Sequence, residues 1–418
     1  MGEDRGDRME IRLPGYILEA LERLEDKGFA AYAVGGCVRD QVLGLTPHDY
    51  DICTAALPKE CEEVFRGERI IETGVQHGTV TVLLQGVPVE ITTFRLDGAY
   101  LDGRHPSAVT FTDRVEEDLS RRDFTINAMA YSPKRGFADP FGGREDCEKG
   151  IIRCVGEADR RFQEDALRIL RALRFSARLG FPIEEKTAQS ARAGRETLQK
   201  ISRERVAAEL TGLLLGDKAG ETLAAFPEVL CAAVPLEALV KGPDWPVTLR
   251  RIGEAPREET LRWAALLQDL GGDAARAVLK GLKMPTRLIE AVGALADHRA
   301  DDLDRMPVQE ALMRLGTERL WQLITLQAAD GAARRPQDRE EIHKNARAIR
   351  AEAEKLIEAG ACYTLGQLAV NGKDLAALGY KGRAIGEALN ALLLRVARRQ
   401  IENDRDALLA AAGEMNIS

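Results

Sequence analysis

HDYDICT, residues 48–54, sets Asp49 and Asp51 two positions apart in an otherwise apolar, strand-like run. Side chains alternate faces along a strand, so both carboxylates are expected on one side, a few ångströms apart and repelling each other. Such a pair calls for positive charge from elsewhere. A bare D-x-D also occurs often by chance, and as a solvent-facing strand edge or two turn caps it needs no function. The sequence on either side decides between these readings.

Upstream, AYAVGGCVRD (31–40) reads as a strand running into Gly35 and Gly36 and then a short helix carrying Arg39. Glycines let backbone approach an anion closely, helix N–H groups face it, and an arginine adds a two-pronged grip, so the turn fits a phosphate. Most Gly-Gly turns are only turns, and its weight comes from what lies within a dozen residues. Downstream, VPVEITTF (87–94) holds Glu90 as the one acid of an apolar strand. Asp49, Asp51 and Glu90 on neighbouring strands would form an all-oxygen site suited to Mg²⁺, which keeps waters and takes further ligands from substrate phosphates. Two such ions about 3.5–4 Å apart activate an attacking hydroxyl and stabilise a leaving pyrophosphate.

These motifs sit in a first region, 1–150, that reads as α/β: a helix near 14–27, then β-type runs at 30–34, 49–54, 78–84 and 87–94, broken by Gly and Pro. From about Asp159 the pattern changes to Leu, Ala, Arg and Glu at helical spacing, so the rest is expected to be helical. Within it, KGPDWP (241–246) and RIGEAPRE (251–258) read as a loop region and AARRP (332–336) as a break before a final helical unit. With 418 residues, 45% hydrophobic and 30% charged, the chain is long and apolar enough for several cores and unlike a disordered tail. No apolar run reaches the roughly 20 residues of a membrane span, and the polar start is unlike a secretory signal, so a cytoplasmic protein with no membrane partner is expected. Seven scattered cysteines without C-x-x-C spacing read as reduced thiols rather than a zinc site.

Two further stretches carry chemistry. RRDFTINAMAY (121–131) reads as a helix start with Asp123 and Asn127 on one face; Asp123 is either an N-cap, or Arg122 meets a triphosphate while Asp123 and Asn127 lie near a ribose. RRFQEDALRILRALRFSARLGF (160–181) reads as one helix with Leu167, Ile169, Leu170, Leu173 and Phe175 on a core face and Arg168, Arg171 and Arg174 every third residue on another. The plain reading of that row is a solvated charged face. Asp165 three residues before Arg168, however, places an acceptor beside a donor. That pair matches the donor and acceptor edges of cytosine and adenine and leaves mismatched groups against guanine or uracil, at roughly 1–3 kcal/mol each.

In this order the motifs resemble a known family: the class II nucleotidyltransferases with a polymerase-β-type head, and within them the bacterial CCA-adding enzymes (CCA tRNA nucleotidyltransferases), related to poly(A) polymerases. The resembling stretches are VGGCVRD (34–40), HDYDICT (48–54), VEITTFRLDGAYLDGRHP (89–106), DLSRRDFTINAMAY (118–131), EDALRILRALRFSARLGF (164–181) and ISRERVAAEL (201–210), with a weaker likeness at 368–393. The resemblance implies an α/β polymerase-β-type head followed by an extended all-α region. It implies Asp49, Asp51 and Glu90 as catalytic metal ligands, Gly36 and Arg39 in the nucleotide-phosphate turn, and Arg122 on the nucleotide. Asp165 and Arg168 would select the base, with Arg171 and Arg174 on the same helix. RLDGAYLDGRHP (95–106) would be the loop needed to switch from C to A, favouring full CCA addition over partial CC addition. The regions become a catalytic head (1–150), a base-recognising neck (151–215), a body (216–335) and a tRNA-binding tail (336–418), using CTP, ATP and Mg²⁺ and no protein partner.

One departure stands in the body. Some relatives carry a His-Asp metal motif where this chain reads AALLQDLGG (264–272), with Gln268 at the histidine position. Glutamine is a poor transition-metal ligand, so no metal phosphohydrolase is expected there. The net charge of −8 opposes an RNA partner on average. Local clusters offset it: the 160–178 arginines, Arg192, Arg195, Lys200, Arg203 and Arg205, and the GYKGRAIG turn leading to Arg395, Arg398 and Arg399, where backbone and shape contact is expected. The rival readings are a poly(A) polymerase, a partial CC- or A-adding enzyme, and a non-catalytic RNA scaffold, which the intact Asp49, Asp51 and Glu90 oppose.

Overall fold

The computed structural model describes residues 11–71, 78–98 and 109–416, and divides the chain into two compact units, Met1–Leu236 and Glu237–Ser418. The first unit opens on helix α1 (Gly15–Asp26), whose Ile17, Ala20, Leu21 and Leu24 are buried at the 3–4 residue spacing of one helical face. A seven-stranded mixed sheet follows, in the order β3-β4-β5-β2-β1-β8-β9. Its strands are β1 (Ala31–Val34), β2 (Asp51–Thr54), β3 (Arg69–Ile71), β4 (Thr79–Leu84), β5 (Val87–Thr93), β8 (Ala130–Ser132) and β9 (Gly136–Ala138). A separate two-stranded ribbon joins β6 (Arg95–Asp97) to β7 (Val109–Phe111).

The burial pattern explains the sheet. Along β5, Val89, Ile91 and Thr93 are buried and Glu90 is exposed, the period of two expected when one face packs on a core. Ile52, Val80, Val82, Val89 and Ile91 meet α1 and Phe65 in one cluster, each large aliphatic contributing on the order of 1.5–3 kcal/mol. A second cluster sets Val34, Cys53, Phe94, Leu119 and Ala130 together.

The helical extension of the first unit includes α6 (Ala158–Glu164), α7 (Leu167–Leu179), α8 (Glu185–Gly194) and α9 (Arg203–Leu214). The helices Ala219–Ala225 and Pro227–Ala233, assigned by sequence to the body, also fall in this unit, where Arg192 donates to Glu228 and to the carbonyl of Ala225. Two expectations change. The single helix over 160–181 is two, because Asp165 leaves helical geometry (φ −145°, ψ 105°) while its Oδ1 accepts from the N–H of Leu167 at 3.0 Å. RRDFTINAMAY is not a helix: it makes one 3-10 turn, Thr125–Asn127, then enters β8 against β1. Short polar side chains bonding nearby backbone, here Asp123 with the N–H of Phe124 at 2.8 Å, compete with helix formation.

The second unit is helical throughout its described length, from Glu237–Val240 to Arg405–Asn416. Its core is built from the Leu and Ala faces of Glu259–Leu267, Thr286–Asp297 and Val308–Arg334, with a separate cluster around Leu375, Leu392, Leu393 and Leu408.

Candidate active site

The sheet register assembles the carboxylates. β1 and β2 are antiparallel with Val34 opposite Asp51, so the Gly35 turn emerges beside the first residue of β2. β2 and β5 are parallel with Ile52 opposite Ile91; the same register one residue earlier sets Asp51 beside Glu90. Asp49 departs from the sequence reading: it lies in the irregular segment ahead of β2, not on the strand. All three carboxylates reach solvent. Asp51 is nonetheless pushed up to about 6, first by the protein packed around it, then by the charges of Glu90 and Asp49, with Arg122 opposing. Like charges are therefore held close without full compensation. Among the described residues, no group of three or more His, Cys, Asp and Glu side chains closes tightly enough to hold a metal ion by itself. Carboxylates open on one side suit a hard cation that completes its shell with water and phosphate oxygen.

Gly35 has φ +78°, and a Cβ there would lie 2.9 Å from Arg122 Nη1. A side chain at this position would meet both backbone strain and the guanidinium, so glycine brings Arg122 against the turn. Arg122 also donates through Nη2 to Asp118 at 3.3 Å, and its buried Nε has no hydrogen-bond partner among the described residues. Arg39, expected to grip phosphate, is instead turned inward: Nε donates to Asp40 at 2.8 Å and Nη1 to Asn127 at 2.6 Å. It supports the turn from beneath, close to Gly36, whose added Cβ would sit 3.7 Å from Arg39 Nη2.

Asn127 passes the connection on, donating to Asp123 at 3.1 Å. Burial alone would raise the Asp123 carboxyl, but Arg171 and Asn127 outweigh it and hold it at about 2. Arg174 donates to Glu209 at 2.6 Å, and Glu209 also lies 3.8 Å from Arg171. The ring of Phe175 sits under the guanidinium carbons of Arg174, Arg39 and Arg171 at 4.5, 5.2 and 5.6 Å, within cation–π range.

Asp165 and Arg168 are close in sequence but separately restrained. Asp165 Oδ2 accepts from Arg205 at 2.7 Å; Arg168 donates to Glu164 at 2.7 Å and to the carbonyl of Arg121 at 3.0 Å. The arginine row is thus not a solvated face, since each member meets an acid. Arg192, Arg195, Arg203 and Arg205 likewise make internal hydrogen bonds rather than standing open as one basic patch. Arg398 donates twice to Glu310, at 2.9 and 3.0 Å, and Arg399 pairs with Glu352 at 3.6 Å. Of the loop read at 95–106, residues 99–106 lie outside the described residues. Sequence reasoning gave no role to Asp118, Glu164 and Glu209, and only a core role to Phe175. For Asp118 the signal was present, three and four residues before Arg121 and Arg122.

In the second unit, Gln268 is buried and donates to Asp330 at 3.1 Å. Arg251, fully buried, bridges Asp269 and Asp330 and donates to the carbonyl of Ala265 at 2.9 Å. A guanidinium therefore lies between these two carboxylates.

This geometry defines a nucleotidyltransferase head carried by a helical chain. Residues 31–153 match the poly A polymerase head domain family, 180–228 the family described as "Probable RNA and SrmB- binding site of polymerase A", and 254–412 tRNA nucleotidyltransferase domain 2. The CCA-adding enzyme of Geobacillus stearothermophilus is 37% identical over 406 residues, 96% of each chain. That of Leuconostoc mesenteroides subsp. mesenteroides is 51% identical over 215 residues, 51% of this chain and 53% of that one. The crystal structure of the Bacillus stearothermophilus CCA-adding enzyme with CTP superposes with a TM-score of 0.79 at 33% identity, covering 97% of this chain and 98% of that one. The chain belongs to the CCA-adding enzyme family. Nucleotidyltransferases of this family use divalent metal ions.

Proposed function

We propose that this protein extends the 3′ end of tRNA by C, C and A without a nucleic-acid template. The terminal ribose 3′-hydroxyl attacks the α-phosphorus of CTP twice and then of ATP, releasing pyrophosphate each time. The observation that carries this reading is Asp51 set beside Glu90 at the edge of the Gly35 turn, in a chain related along its length to CCA-adding enzymes.

Asp49, Asp51 and Glu90 fit Mg²⁺ by donor type and by the clustered charge that, after burial, adds to the lifting of Asp51. Bound there, Mg²⁺ would lower the pKa of the attacking hydroxyl and screen the leaving pyrophosphate. Gly35 and Gly36 shape the turn that receives the phosphates, and Arg122 stands against it with an unpartnered Nε as a charge-assisted donor. Arg39, Asn127, Asp123 and Arg171 hold the turn and α7 in one hydrogen-bonded line. Asp165 and Arg168 are the base-selecting pair, with Arg171 and Arg174 shaping the adjacent face. Head, neck, body and tail divide the work at 1–150, 151–215, 216–335 and 336–418, the tail holding tRNA. The body contributes no phosphohydrolase, since Arg251 lies between Asp269 and Asp330 beside Gln268. No described helix is long and apolar enough to cross a membrane, and tRNA as substrate supports a cytoplasmic location.

The test is incorporation by the purified protein on a tRNA transcript lacking its last three nucleotides, with Mg²⁺ and each labelled nucleoside triphosphate alone or together. Three additions only with CTP plus ATP, lost in Asp49→Ala, support the reading. A long tail from ATP alone indicates a poly(A) polymerase, an arrest after two C or addition of A alone indicates a partial enzyme, and tight binding without incorporation indicates a scaffold.

A further inference from the structure

Arg122 is aimed by Asp118, a residue given no role so far although it opens the stretch DLSRRDFTINAMAY. Asp118 lies in the short helix Val115–Ser120 and is fully buried. Its Oδ1 accepts from Arg121 Nε and Nη2 at 3.0 and 2.8 Å and from the main-chain N–H of Arg95 at 3.4 Å; its Oδ2 accepts from Arg122 Nη2 at 3.3 Å. Arg121 in turn lies 3.7 Å from Asp97, and Asp97 pairs with Arg95 at 3.1 Å. One buried carboxylate therefore ties the first strand of the β6–β7 ribbon to the arginine that rests on Gly35.

We propose that Asp118 is a positioning residue for nucleoside triphosphate binding: it anchors one end of the Arg122 guanidinium so that the rest faces the Gly35 turn, and it links that arginine to the β6–β7 ribbon. This rests on the reading of Arg122 as a phosphate ligand. A buried carboxylate with two guanidinium partners has no cheaper substitute, because removing it leaves two cations in a site built for their neutralisation. The long bond to Arg122 beside the shorter ones to Arg121 gives the two arginines different work. Arg121 neutralises the carboxylate, while Arg122 is steered by it and keeps donor capacity for an incoming anion.

The experiment compares initial rates of the full-length protein, wild type and variants, for CTP on a transcript lacking CCA and for ATP on a transcript ending in CC. Asp118→Asn is expected to raise KM for both nucleotides about tenfold with a smaller fall in kcat, the loss of one charge-assisted contact's worth of alignment. Arg122→Lys is expected to raise both KM values, and Asp118→Asn added to it to cost less than the two effects combined. A purely structural role would reduce the folded fraction and leave KM unchanged, which overturns the proposal. If Arg122→Lys leaves KM unchanged, the phosphate role of Arg122 fails; if it raises KM and Asp118→Asn does not, only the role of Asp118 fails. Should Asp118→Asn alone not fold, Asp118→Asn with Arg121→Gln removes the carboxylate together with its principal cation and carries the same comparison.

Discussion

Asp123 and Arg171 stand 48 residues apart and join through a hydrogen bond from Nε at 2.7 Å and an ion-pair contact from Nη2 at 2.6 Å, both on the same carboxylate oxygen. This pair fastens the segment carrying Arg122 to α7. Asp123→Asn is expected to destabilise the protein by about 2 kcal/mol, below the roughly 3–5 of a fully buried pair because Arg171 is partly exposed. Urea unfolding at pH 7 measures it, and an unchanged midpoint refutes the assignment.

The same carboxyl sets an acid limit. Held at about 2 when folded and near 3.9 when unfolded, it takes up its proton first in the unfolded chain as pH falls. Its stabilising contribution is complete above about pH 4 and is lost as pH falls towards 2. The stability of Asp123→Asn should therefore fall less steeply than that of wild type between pH 4 and pH 2, read from thermal unfolding.

Asp51 has the opposite sign. A carboxyl raised to about 6 binds its proton more tightly when folded, so the metal-free protein loses stability as pH rises from about 4 to 6. Asp51→Asn is expected to stabilise the metal-free protein at pH 7 by about 1 kcal/mol, a figure reduced for the solvent that reaches the group. Nucleotide incorporation is expected to disappear in the same variant. Destabilisation on substitution would show that the local charge is already compensated.

Gly35→Ala places a methyl group in a left-handed backbone position and against Arg122. Strain of about 1–2 kcal/mol is expected, together with a fall in kcat/KM of at least tenfold for both CTP and ATP. Equilibrium unfolding and steady-state rates on one preparation separate the two effects.

Arg205 restrains Asp165 without belonging to the pair that would read the base. Arg205→Ala is expected to change stability by less than about 1 kcal/mol, since the ion pair is partly exposed, yet to free the Asp165 carboxylate. Misincorporation of UTP or GTP relative to CTP should rise about tenfold. Unchanged selectivity would assign Arg205 a purely structural part.

Arg251 anchors the second unit. Arg251→Ala removes a fully buried cation from between Asp269 and Asp330 and is expected to cost about 3–5 kcal/mol. Gln268→His with Arg251 intact should give no metal-dependent phosphatase activity, because the guanidinium remains between the carboxylates. Hydrolysis of a chromogenic phosphate ester with Mn²⁺ would contradict this.

The sequence by itself determined the α/β head and helical body, the glycine turn, the acids Asp51 and Glu90 and the family, because alternating and helical periodicities and short motifs are local properties. Local properties also misled it: the Asp165 side chain ends a helix that the apolar spacing continues, and RRDFTINAMAY becomes a turn and a strand because β1 had an edge to pair. Only the tertiary structure decided which arginines are free to meet an anion. A guanidinium's role depends on which carboxylates the fold brings to it, and Arg39, Arg168, Arg171 and Arg174 all found theirs inside the protein. Arg122, sharing Asp118 with Arg121 and resting on Gly35, kept a donor in reserve.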